Sequence, residues 1–315
     1  MISIIGLGFV GSAIEKSFKL NGIKQYNYDK YRNIGTLEGC FNSDILFLCL
    51  PTVYSNRLKE YDKSSLHEVI TQLVENKYNG VIVIKSTVEP KTTSTLYEKY
   101  SSKHKINIVH NPEFLTAATA FEDFHNQNHI VLGKHHKCDI EKYNKLKELY
   151  KTHYPLAKIS ECDSTESESM KLFVNNFYAS KIQLFNEYYL LCKKTGVDYN
   201  RVKELMIGND WINPMHTNVP GTDGQLSYGG YCFPKDTNAL NEYMKREGTS
   251  HTVLNAVIKE RNEMREDNTN VSDIETVLTT PINHLYTQCY QQILDQKDNL
   301  LISVNNIIDN TSTSL

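Results

Sequence analysis

No apolar run in this 315-residue chain approaches the roughly 20 residues needed to cross a bilayer. There is no excess of Lys and Arg and no basic run, and the formal net charge is −3, so nothing marks a nucleic-acid binder. Seven cysteines, at 40, 49, 138, 162, 192, 232 and 289, form no CxxC pair, and their number is odd. That argues against a zinc knuckle and a disulfide framework, so no metal is expected and a reducing, cytoplasmic setting is. No signal peptide is visible, because Met1 runs straight into the apolar Ile2-Ser3-Ile4-Ile5. No internal repeat is present. The Lys-rich stretch over 134–147 is interleaved with acids and reads as solvated surface.

What is present alternates strand and helix. Strands are expected at 2–5, 25–28, 43–50, 81–84, 106–110 and 130–132, and helices at 12–21, 66–76 and 92–100. Short, β-branched-rich strands between helices predict a doubly wound, mostly parallel sheet. From about residue 164 the pattern becomes helical, with helices at 166–195, 200–207, 236–246 and 252–266 and an irregular Gly-, Pro- and Asn-rich stretch over 210–231. The fold class is therefore α/β: an N-terminal Rossmann-like domain over 1–160, then an all-helical domain over 161–266. Residues 267–315 read as a linker and a short helical tail, with Leu285, Ile293, Leu300, Leu301, Val304 and Ile308 as a loose stripe and a frayed end over 310–315.

Gly6-Leu7-Gly8-Phe9-Val10-Gly11 is a GxGxxG between a strand and a helix. Gly6 permits the tight turn, Gly8 lets backbone approach a pyrophosphate, and Gly11 lets the helix pack on the sheet. The helix N-terminus offers N–H groups to the phosphates. Asp29 ends the next strand, eighteen residues after Gly11, where a carboxylate accepts from a ribose and repels a 2′-phosphate. The alternative is a structural glycine turn with no ligand, but the surrounding context is that of a dinucleotide site, and NAD is expected over NADP.

Four further segments carry chemistry: Lys85-Ser86-Thr87-Val88; Asn111-Pro112-Glu113-Phe114-Leu115; the helical stretch Glu168 to Asn176, in which Lys171 and Asn175 share a face at i, i+4; and Tyr228-Gly229-Gly230-Tyr231-Cys232-Phe233-Pro234-Lys235-Asp236. A free cysteine is more often core than reactive. A cysteine whose pKa is depressed by cationic or helix-N-terminal groups becomes a nucleophile.

In this order and spacing these motifs resemble the UDP-glucose 6-dehydrogenase (UDP-glucose/GDP-mannose dehydrogenase) family, from Met1 to about Glu266, with Asn213-Pro214-Met215-His216 and Val219-Pro220-Gly221 like the loop before the GGxCF motif in some members. The resemblance implies a four-electron oxidation of a nucleotide sugar, UDP-glucose to UDP-glucuronate, with two NAD⁺, through a thiohemiacetal and then a thioester on Cys232. It implies that Lys171 and Asn175 stabilise the oxyanion, Asp236 positions water or relays a proton, Glu113 does acid/base work on the thioester, and Thr87 holds water or meets the nicotinamide. Cofactor contacts are implied at Gly6, Gly8, Phe9, Val10, Gly11, Asp29, Pro51, Thr52, Thr87, Glu113 and Lys235. Substrate contacts are implied at Glu113, Phe114, Leu115, Lys171, Asn175, Tyr228, Gly229 and Gly230. It also implies a homodimer through helix 252–266, with Val253, Val257 and Met264 on an apolar face.

Two features depart from the family. Ala117 stands where a second glutamate usually follows Glu113, and only about fifty residues follow Glu266 where members carry a third α/β domain, which needs on the order of 100. The chain is then expected to bind its nucleotide through two domains, borrow a lid from a partner, or act on a changed substrate. A different class of reading is a catalytically weak relative kept as a NAD-binding or assembly protein. A two-electron hydroxyacid dehydrogenase of similar architecture has no use for a nucleophilic cysteine in such a loop.

Overall fold

The computed structural model describes residues 1–265. Its elements, in chain order, begin β1 (Ile2–Ile5), α1 (Phe9–Leu20), β2 (Gln25–Tyr28), β3 (Ile45–Leu48), the short β4 (Tyr54–Ser55) and β5 (Glu60–Tyr61), and α2 (Ser64–Glu75). There follow β6 (Val81–Ile84), α3 (Thr92–Ser101), β7 (Asn107–His110), α4 (Ala120–His125), β8 (His129–Lys134), α5 (Ile140–His153) and β9 (Lys158–Asp163). Four helices complete it: α6 (Ser164–Thr195), α7 (Tyr199–Ile207), α8 (Cys232–Arg246) and α9 (Thr252–Met264).

Seven strands form one sheet in the order β2-β1-β3-β6-β7-β8-β9, parallel throughout except where β8 runs antiparallel to β7. The inner strands are apolar on both faces because helices cover both. Side chains alternate across the pleat. Thus Ile45 and Phe47 of β3 and Val81 and Val83 of β6 join a core with Phe18 of α1 and Tyr143, Leu146 and Tyr150 of α5. Leu46, Leu48, Ile82 and Ile84 face the opposite core, with Leu66 and Ile70 of α2 and Leu96 of α3. The expected α/β half followed by a helical half is what the chain forms.

Several element boundaries differ from expectation, each for a physical reason. The strand expected over 43–50 is only β3, since Cys49 and Leu50 leave the sheet to wall the Gly6 turn. The stretch read as solvated surface runs into α5, whose Asp139 caps its first turn and whose Tyr143, Leu146 and Tyr150 recur at helical spacing and are buried. β9 and α4 were not expected; β9 is a polar edge strand, half-buried and without an apolar run. Helix α8 starts at Cys232, four residues before the expected 236, because Pro234 is tolerated in a first turn. Cys232 is therefore a helix N-terminal residue.

The 32-residue α6 is the beam between the halves. Asp163 and Glu166 close a capping box at its start, and Gly196, in the left-handed region, ends it. It lies close on the sheet, where a Cβ on Gly133 would come within 2.3 Å of Ser167. No helix among the described residues is long and apolar enough to cross a membrane. The apolar stripe expected over 282–308, the linker, the frayed end and Glu266 lie outside the described residues.

Candidate active site

Parallel strands bring their C-terminal ends to one edge, and ligands of such sheets bind there, where the strand order reverses. Here the order reverses at β1, between β2 and β3. Gly6 follows β1, Asp29 follows β2, Pro51 and Thr52 follow β3, Thr87 follows β6, and Glu113 follows β7. Gly6 has φ +87°, and a Cβ there would strike the Cys49 carbonyl at 2.4 Å; one on Gly11 would strike the Gly6 carbonyl at 1.8 Å. Gly6 lets the turn pass against the chain leaving β3, and Gly11 lets α1 pack on the turn. Gly8 is different: a Cβ there would meet nothing within 4 Å, so the space over it is open. Helix α1 begins at Phe9 and Val10 with no side chain capping it. Asp29 accepts the Leu7 N–H at 2.7 Å and those of Tyr31 and Arg32 at 3.0 and 2.9 Å, which fixes the carboxylate at the rim. The Thr52 hydroxyl donates to the Thr87 carbonyl at 2.8 Å and ties two strand ends together. Open space over Gly8, an uncapped helix start and an acid at the β2 end fit NAD.

The second cluster lies where α6 and α8 meet. Asp236, fully buried, is its centre. One carboxylate oxygen accepts from Asn175 Nδ2 at 2.6 Å; the other accepts from Lys235 Nζ and from the Tyr61 hydroxyl, each at 2.5 Å. One turn before Asn175 on α6, Lys171 is buried rather than solvated and pairs with Glu113 at 3.1 Å. The other Glu113 oxygen accepts the Leu115 N–H at 2.7 Å. Lys171 also sits 5.5 Å over the ring of Phe114, whose exposed face stacks on His129 beside a cavity of about 490 Å³.

Cys232 faces solvent, and Lys235, Asp236, Glu113 and Lys171 all act on its sulfur. Burial of the surroundings pushes the thiol above its ordinary value; Lys235 and Lys171 oppose this, while Asp236 and Glu113 add to it. The two lysines thus do not by themselves make a resting thiolate.

Some expected residues sit differently. The Tyr228 ring is buried against Phe233, and its carbonyl accepts from Arg261 Nε at 3.2 Å. What crowds Gly229 is the chain itself: a Cβ there would come within 2.4 Å of the Arg265 guanidinium. Gly230 has φ +73° and open space beside it. Leu115 packs on the core under the sheet, and Ala117 is exposed. Lys235 is half-buried on Asp236 and over the Tyr61 ring at 4.7 Å, within the cysteine cluster.

One residue escaped the sequence reading altogether, and two others lie in segments it named without a role for them. Tyr61 comes from β5, 175 positions from its partner, and no motif marks it. Lys85 belongs to a segment singled out, but its role is visible only in three dimensions. It is buried, donates to Asn111 Oδ1 at 3.0 Å and the Pro112 carbonyl at 3.3 Å, and so holds the turn that presents Glu113. Burial pulls its amine down to about 8. Glu168, one helical turn before Lys171, is fully buried, accepts from the Thr93 N–H at 2.7 Å, and is pushed up to about 7 by burial.

Residues 23–154 match the NAD binding domain of the UDP-glucose/GDP-mannose dehydrogenase family, and residues 165–263 match its central domain. The chain is 34% identical over 261 residues to the UDP-glucose 6-dehydrogenase of Rickettsia conorii, covering 79% of this chain and 55% of that protein. It is 28% identical over 311 residues to the UDP-glucose 6-dehydrogenase of Campylobacter jejuni, covering 84% and 72%. A UDP-glucose dehydrogenase structure from the hyperthermophilic archaeon Pyrobaculum islandicum superposes with a TM-score of 0.73 at 25% identity, over 83% of this chain and 68% of that one. The chain spans about half the length of the Rickettsia relatives it matches. NAD is thus the cofactor of the fold that the first half adopts, and the chain belongs to the UDP-glucose/GDP-mannose dehydrogenase family.

Proposed function

We propose that this protein oxidises the primary alcohol of a nucleotide sugar, UDP-glucose first among candidates, to the carboxylate, with Cys232 as covalent nucleophile. The observation that carries the reading is the convergence of Cys232, Lys235, Asp236, Asn175, Lys171 and Glu113 on one cluster, formed by α6, α8 and the turn after β7. Gly6, Gly8, Phe9, Val10, Gly11, Asp29, Pro51, Thr52 and Thr87 would hold the cofactor, and bound NAD⁺ would accept a hydride at each of two oxidations.

The residues divide the remaining work. Lys171 and Asn175 stabilise negative charge on the reacting oxygen, one by its ammonium and one by its amide N–H. The alcohol gives up a hydride and, through Asp236 to water, its hydroxyl proton; the Cys232 sulfur then adds to the aldehyde carbon so formed, its own proton leaving to a base as the S–C bond forms, and a thiohemiacetal results. Because the resting thiol is held high, deprotonation accompanies attack, and Asp236 with Lys235 is the adjacent proton-transfer pair. Oxidation of the thiohemiacetal leaves a thioester. Water, polarised by Glu113 or Asp236, adds to its carbonyl and expels the Cys232 thiol with the carboxylate product. Phe114 and the backbone at Leu115, Tyr228, Gly229 and Gly230 are the proposed substrate wall. Residues 1–160 and 161–266 act as the two domains of the unit.

We also infer a homodimer. On α6, Phe173, Phe177, Leu184 and Leu191 are exposed at i, i+4, i+11 and i+18, and Val253 of α9 is exposed. Five free cysteines besides Cys232 among the described residues support a reducing, cytoplasmic setting.

Exposed Ala117 favours a second reading, a NAD-binding relative that turns over slowly or not at all. NADH formation with a panel of sugar nucleotides separates the two. Release of two NADH per carboxylate supports the first; NAD⁺ binding without turnover of any sugar nucleotide supports the second.

A further inference from the structure

The hairpin β4–β5 belongs by sequence to the cofactor half, yet both its strands pack on α8 of the helical half. At the N-terminal end of α8, the Tyr61 hydroxyl donates to Asp236 Oδ1 at 2.5 Å. At the C-terminal end, Arg246 donates to the Lys59 carbonyl at 2.6 Å and lies 3.8 Å from Glu89. Glu89, buried, accepts the Tyr61 N–H at 2.9 Å and pairs with Lys63 at 2.9 Å, so the ring is fixed from its own backbone. The hairpin leaves the cofactor wall directly after Thr52, which is tied to Thr87. A continuous chain of contacts therefore runs from the strand ends to the carboxylate beside Cys232.

Resting on the dehydrogenase reading for its catalytic meaning, we propose that Tyr61 is a positioning residue: its hydroxyl hydrogen-bonds one oxygen of Asp236, damps that carboxylate's field and thereby sets the reactivity of the Cys232 thiol. Without that donor, Asp236 Oδ1 has Lys235 alone. Its negative field at the sulfur would then be less compensated, and Lys235 more fully engaged by the carboxylate. The charged groups acting on Cys232 come from three other directions as well: Lys171 on α6, Glu113 after β7, and Lys235 and Asp236 on its own helix. Tyr61 itself stays protonated, held well above 10 by burial and by Asp236, so it remains a donor across the working range.

The test is the pH profile of Cys232 alkylation by iodoacetamide, read on the Cys232 peptide by mass spectrometry, in the full chain. Tyr61→Phe removes one hydroxyl and keeps the ring. The expected result is an alkaline shift of the midpoint, with alkylation at pH 8 slowed about threefold and the high-pH plateau unchanged. In an Asp236→Asn background, Tyr61→Phe is expected to produce no further shift. Arg246→Met, at the exposed anchor of the same hairpin, gives a smaller shift of the same sign and keeps the proposal testable if Tyr61→Phe does not fold. Profiles superimposing on wild type for Tyr61→Phe and Arg246→Met would overturn the proposal, as would an equal Tyr61→Phe shift with and without Asp236. Turnover is read separately: a wild type that oxidises no sugar nucleotide sinks the dehydrogenase reading, while the alkylation profiles still decide on Tyr61.

Discussion

Among the described residues, no buried lysine stands alone. Lys171 has Glu113, and Lys85 has the Asn111 amide and the Pro112 carbonyl. Desolvated charges persist only when paired or hydrogen-bonded. Lys171→Ala is expected to slow both oxidations about 100-fold, the kinetic equivalent of ~3 kcal/mol of lost oxyanion stabilisation. Stopped-flow NADH traces would check this, and an unchanged rate would remove Lys171 from the chemistry. Glu168 gives a stability prediction. Its carboxyl is pushed from 4.5 up to about 7, so between those values the folded protein holds a proton that the unfolded chain has released. Stability from this group therefore falls as pH rises from 4.5 to 7, by up to about 3 kcal/mol. Glu168→Gln should flatten that part of the pH–stability curve, measured by urea unfolding; an unaltered slope would contradict the assignment.

At the scale of elements, legibility followed local signal. The GxGxxG turn, the apolar strands and the Lys171/Asn175 helix face were readable because each is fixed by spacing within about ten residues. Neither β9 nor Tyr61 was, because β9 is a polar edge strand and Tyr61 matters only through a contact made across the fold. Helix α8 begins four residues before its expected start, because Pro234 reads as a stop although a first turn accepts it. The glycine turn supplies the element-level prediction. Gly8→Leu should abolish NAD⁺ binding by calorimetry yet leave the melting temperature nearly unchanged, since the space beside Gly8 is open. Gly11→Ala should destabilise the fold by about 3 kcal/mol, because its methyl would enter the Gly6 carbonyl. If both variants lose only binding, the packing role of Gly11 is wrong.

Within the described residues, the two halves supply different parts of the proposed site, and α6 and the β4–β5 hairpin hold them together. The exposed stripe on α6 and Val253 lead us to expect a dimer at tens of micromolar by light scattering, and Phe177→Glu should shift it toward monomer. A wild type that stays monomeric there would refute the interface. The central claim concerns the sulfur, and one measurement reaches it directly. The protein is mixed with UDP-glucose and NAD⁺, quenched within a turnover, and its Cys232 peptide weighed. An acyl adduct of the sugar nucleotide is expected on Cys232 in the wild type, and no carboxylate from Cys232→Ser, whose hydroxyl is a far weaker nucleophile. Carboxylate made by Cys232→Ser at the wild-type rate, with Cys232 unmodified throughout in the wild type, would contradict the claim.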